Sequence, residues 1–132
     1  MPPKKAEVDD EAGASAIVER WELPQQRLAT ACRRLVRKTI PTMFERPYPG
    51  WNAVGFRDPQ AGYFVGMFPV AGGIDLVFER GMELEDPHGL FADRPTMRQV
   101  RVVEVRRAAD LSRHGLHDLI RQAVLHGSMR RR

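Results

Sequence analysis

Residues 74–106 constrain the fold most. Two apolar runs of alternating pattern, 74–78 and 100–105, flank a long polar excursion containing Asp86-Pro87-His88-Gly89. Alternation sends successive side chains to opposite faces, so each run reads as a strand with one side against a core. Asp, Pro and Gly in the excursion supply turn chemistry, which makes it a long loop with a sharp bend. Upstream, residues 51–56 and 63–68 form a second pair of short apolar runs, with Asp58, Pro59 and Gly62 between them. This spacing predicts a hairpin. Residues 71–73 make the turn into the strand at 74–79, and residues 97–106 form the last strand. The valines there fall on both parities, which points to a bulge or to burial on both faces.

Helical periodicity brackets these strands. Over residues 25–40, Leu28, Ala31, Cys32, Leu35, Val36 and Thr39 repeat at i, i+3, i+4, i+7, and Pro41 stops the run. Over residues 112–126, Leu116, Leu119, Ile120, Ala123 and Val124 do the same, with Asp110 or Ser112 as the cap and Gly127 as the terminator. Residues 16–21 add a short helical turn that docks Ile17, Val18 and Trp21 before Pro24. The order predicts an α+β domain: an antiparallel or mixed sheet of four to five strands, with N- and C-terminal helices on one face. Residues 1–15 read as a disordered tail, 16–127 as one domain and 128–132 as a basic tail.

A chain of 132 residues can bury a core without staples. Cys32 is the only cysteine, so no disulfide forms within the chain, which suits a reducing compartment. The longest uncharged stretch, 59–74, is interrupted by Pro69 and four glycines and is too short to span a bilayer. Acidic residues follow Lys4 and Lys5 in place of an apolar segment, so no signal peptide is expected and the expected setting is cytoplasmic. The net charge of +4 is unevenly spread: residues 23–46 carry six basic groups and one acidic, and residues 91–132 ten and four.

The run from Pro49-Gly50-Trp51 through Gly62-Tyr63-Phe64, Phe78-Glu79-x-Gly81, Leu84-x-Asp86-Pro87-x-Gly89-Leu90 and Arg98-x-Val100 to the closing helix resembles the YdhG-like family of bacterial domains of unknown function. The likeness covers roughly residues 20–126. Where that family follows Gly-Leu with a Gly-x-Gly-Lys-like turn, this chain has residues 91–96 as Phe-Ala-Asp-Arg-Pro-Thr. The resemblance implies an α+β domain with an antiparallel sheet, comparable with frataxin-like iron chaperones.

No serine-nucleophile elbow, phosphate-binding glycine loop, paired-cysteine motif or His-Glu-x-x-His is present, so no cofactor and no catalytic residue are assigned. Cys32 lies on a buried helical stripe, where a thiol is a small hydrophobe. The leading expectation is a non-enzymatic binding domain, monomer or homodimer, for a small molecule or protein. Its cleft would be lined by Tyr48, Trp51 and Tyr63, with Arg46 and Arg98 as charge partners for an acidic group. A second expectation is nucleic-acid association through Arg33, Arg34, Arg37 and Lys38 on the first long helix, joined by the arginine tail. The third is an iron carrier using Glu83, Glu85, Asp86 and His88, since hard cations take oxygen ligands. His114, His117 and Asp118 would share one side of the last helix as a lesser metal or anion pair.

Overall fold

Short connections between the first four apolar runs leave antiparallel pairing as the only arrangement for those neighbouring strands. The computed structural model, which describes residues 8–94 and 96–130, shows this arrangement. Its elements run α1 (Glu11–Val18), α2 (Leu23–Thr39), β1 (Phe44–Tyr48), β2 (Ala53–Asp58), β3 (Gly62–Val70), β4 (Gly73–Phe78), β5 (Arg101–Val105) and α3 (Leu116–Arg130). The five strands pair in sequence order, all antiparallel. The α+β class and the single helical layer are as the sequence predicts.

The core lies between that layer and one sheet face. Leu28, Cys32 and Val36 of α2 and Leu116, Leu119 and Ile120 of α3 close over Val54, Phe56, Met67, Ile74, Leu76, Val103 and Val105. Each large side chain so buried contributes about 1.5–3 kcal/mol. A register shift between Phe56 and Arg57 lets two successive residues of β3, Phe64 and Val65, both enter the core. In β5, Val103 and Val105 face the helices, while Val102 is buried on the opposite side, which explains the mixed parity.

Several boundaries differ from the sequence reading. Helix α1 begins at Glu11, inside the expected tail, because Asp10 caps it by accepting from the Gly13 amide at 2.8 Å. Residues 1–7 of that tail lie outside the described residues. Strand β1 occupies residues 44–48, to which the sequence reading assigns no strand. Helix α3 starts only at Leu116 and runs through Gly127 to Arg130, into the expected basic tail; residues 131–132 lie outside the described residues. Asp110 does not cap α3. It accepts from the amides of Arg106 (2.8 Å) and Arg107 (3.1 Å) at the 3₁₀ turn Ala108–Ser112.

The outer margin of β1 is closed. Glu45 donates its amide to the Asp9 carboxylate at 2.8 Å and accepts from the Asp10 amide at 2.9 Å. The next residue facing the same way, Pro47, has no amide to offer. Beyond β5, the Ala92 amide bonds the Val102 carbonyl at 2.7 Å. Among the described residues, no helix is long and apolar enough to cross a membrane.

Candidate functional site

The sheet face away from the helices carries the residues that stand out. Register places Arg46, Gly55, Gly66, Val77 and Val102 in one row across it. The two glycines leave a trough, and rings lie in it. A methyl group on Gly55 would run into Tyr48 and Tyr63, and one on Gly66 into Tyr63 and Phe68. Aromatic cover of strand glycines is a known device of β-sheets. Tyr48 stacks on Trp51 with centroids 5.5 Å apart at 20°, and meets Tyr63 edge-on at 5.8 Å and 80°. Arg57 Nη1 donates to the Tyr48 hydroxyl at 3.4 Å. Burial pushes the Tyr63 phenol above its ordinary value, aided by the charge of Glu79.

The posture of Trp51 is set from the core. Residues Pro49–Trp51 form a 3₁₀ turn ended by Asn52, whose φ of 53° is left-handed, a region asparagine tolerates better than most residues. The buried Trp21 donates its indole N–H to Asn52 Oδ1 at 3.0 Å. One tryptophan, 6% exposed, thus anchors the turn that leaves the other 63% exposed.

The expected grouping of Arg46, Tyr48, Trp51, Tyr63 and Arg98 is corrected in two respects. The rings touch one another and fill the trough over the two glycines, making a platform with Trp51 exposed on it, where a cleft between them was expected. Arg46 is exposed in β1 beside them, whereas Arg98 leads into β5, at the far edge of the sheet. Four strand spacings separate those edges, about 19 Å. Phe56 and Phe64, near the rings in sequence, belong to the core.

The basic stripe of α2 is largely occupied. Arg33 makes a two-pronged contact with the buried Glu45, Nε to Oε1 at 2.9 Å and Nη2 to Oε2 at 2.7 Å, and also reaches Ser15 Oγ. Arg37 pairs with Asp9 at 2.9 Å and Glu11 at 3.0 Å. These arginines clamp α1 and β1 to α2; only Arg34 and Lys38 of the expected quartet point to solvent. Sequence could not reveal this, because the acidic partners come from other elements.

The carboxylates expected to hold iron do not converge. Glu83 is held by Arg80, by His126 at 3.1 Å and by Arg130 at 2.8 Å, and the Arg80 contact above all drives its carboxyl down to about 2. Asp86 accepts from the amides of Leu90 (2.8 Å) and Phe91 (2.9 Å), closing the bend. Glu85 is tied through its backbone to Gln122, and the exposed ring of His88 packs on His114 with centroids 4.5 Å apart. His114 precedes α3 and so is not on one helical face with His117. Among the described residues no three His, Cys, Asp or Glu side chains form a group able to hold a metal ion. Cys32 is enclosed, and burial pushes its thiol up to about 12, far from a reactive thiolate.

Sequence reasoning missed two polar clusters. Asp75 and Glu104 are direct cross-strand partners, a repulsive placement that Arg94 and Arg106 neutralise by each bridging both carboxylates at 2.9–3.1 Å. Arg80, His126 and Arg130 around Glu83 form the other; the i, i+4 spacing of His126 and Arg130 was its only sequence signal. Comparison of the chain with protein-family models, curated proteins and solved structures returned no match.

Proposed function

We propose that this chain is a non-enzymatic binding module whose working surface is the helix-free face of the sheet. The observation that carries the reading is Trp51: a large ring left 63% exposed, stacked on Tyr48 and held in that posture from the core. A buried packing role accounts for Tyr63 and Phe68 over their glycines, but not for a tryptophan presented to water. Arg46 stands exposed in the adjoining strand, so the complementary group is planar and negatively charged. A cytoplasmic setting and kinship with YdhG-like domains belong to this proposal, supported by the single buried thiol and by the Leu84-to-Leu90 motif.

Single-stranded nucleic acid through the same face is a second reading. Exposed Arg46 shares one sheet face with Tyr48 and borders the exposed Trp51, and a base can stack on such rings while a neighbouring cation neutralises its phosphate. Adenosine monophosphate and oligothymidylates of increasing length, titrated against tryptophan emission, test both. Saturable quenching that disappears in Trp51→Ala and weakens at least tenfold in Arg46→Ala is expected. Affinity that climbs with oligonucleotide length and falls steeply with salt selects the polymer. If none of these probes quenches Trp51, or if Trp51→Ala binds them as the parent does, the platform reading is wrong.

A further inference from the structure

On the helical side of the sheet, a pocket of about 190 Å³ opens between the β2–β3 turn, the residues after β4 and the last turns of α3. Clefts for drug-sized ligands run to roughly 300–1,000 Å³, so this one suits a body of only a few carbons. Its inner wall is apolar: Phe64 and Ala123 are buried core residues and Leu84 packs against that core. Its rim carries the guanidinium groups of Arg80 and Arg130, with His126 between them in the lining.

The same rim residues already grip a carboxylate. Glu83 receives Arg80 through Nε and Nη2, Arg130 through Nη1, and contacts His126 Nε2. Each guanidinium has five N–H donors, so both arginines keep donors beyond those Glu83 takes. The remaining charged wall residue is Glu79, whose field also reaches the Tyr63 phenol. It disfavours a second negative charge in the occupant.

Helix α3 is shaped to this place. Gly127 sits in its interior, where glycine costs about 1 kcal/mol against alanine. A Cβ there would stand 3.0 Å from the Ala61 methyl and 3.3 Å from its carbonyl oxygen. The missing side chain lets the helix close on the hairpin turn and wall the pocket on that side.

We propose that this pocket binds a small apolar monocarboxylate, its hydrocarbon body against Phe64, Leu84 and Ala123 and its carboxylate on Arg80 and Arg130, in competition with Glu83. The site shares Tyr63 with the edge of the aromatic platform, but it does not rest on the function proposed for that platform. Hexanoate is the probe, followed by amide chemical shifts of the full chain, with hexanamide as its uncharged counterpart. Hexanoate should shift the amides of Phe64, Leu84 and Ala123 saturably, and hexanamide should not. Glu83→Gln, which frees the cations, should tighten hexanoate at least fivefold. Arg130→Gln, at the exposed end of α3, should weaken it at least tenfold without altering the fold, while Trp51→Ala should leave it unchanged. Equal binding of hexanamide, no saturable shift with hexanoate, or unchanged affinity in both Glu83→Gln and Arg130→Gln would overturn the proposal.

Discussion

Glu45 shows how one side chain decides what its neighbours can do. It is 1% exposed, between buried Phe44 and exposed Arg46, and its charge is tolerated because Arg33 meets it in fork geometry. Breaking a buried pair by removing one partner costs more than the pair contributes, because the remaining charge is stranded. Arg33 keeps one side wet, which reduces that penalty. Glu45→Gln should therefore lose roughly 2–3 kcal/mol by urea unfolding with an unchanged m-value. A loss under about 0.5 kcal/mol, typical of exposed pairs, would show that the clamp does little.

At the level of elements, legibility tracked periodicity. Helix α2 and strands β2 to β4 are within a few residues of their sequence assignments, because their apolar spacing matches the surface they bury. Strand β1 was hidden by Pro47 and Pro49; proline reads as loop, yet an edge strand has unpaired amide positions where it fits. The end of α3 was misplaced because Gly127 carries the signature of a terminator, and only the proximity of Ala61 reveals its other use. The platform was half legible: sequence grouped Tyr48, Trp51 and Tyr63, but could not tell rings that cover glycines from rings that line a cleft. Gly55→Ala probes this layer. Its methyl must displace the Tyr48 and Tyr63 rings, so about 1–3 kcal/mol should be lost. Trp51 emission should shift as its stacking partner moves, whereas unaltered emission would mean that Tyr48 does not hold Trp51.

For the whole molecule, acid is the informative perturbation. Asp110 is lowered by the amides of Arg106 and Arg107, and Glu83 by Arg80 with help from His126 and Arg130. Asp9 is also lowered: partial burial opposes its charge, but Arg37 and the Glu45 amide prevail. A carboxyl lowered in the folded state stabilises it above the unfolded value and loses that contribution as pH falls through the folded one. For Glu83 the window runs from 4.5 to about 2. The urea midpoint should therefore fall steadily below pH 4.5, and Glu83→Gln should fall less than the parent. An identical pH profile in the two would remove Glu83 from the balance.

The closed margin of β1 carries a consequence for how copies of this chain meet. With the Glu45 backbone already engaged and proline at the next outward position, a neighbouring molecule finds almost no hydrogen-bonding template along that side. Crowded solutions of the folded protein are thus guarded against ribbon-like polymerisation from this border. If the face works as proposed, recognition falls to ring surfaces and guanidinium groups, which discriminate by shape and charge where a bare backbone would accept any extended peptide.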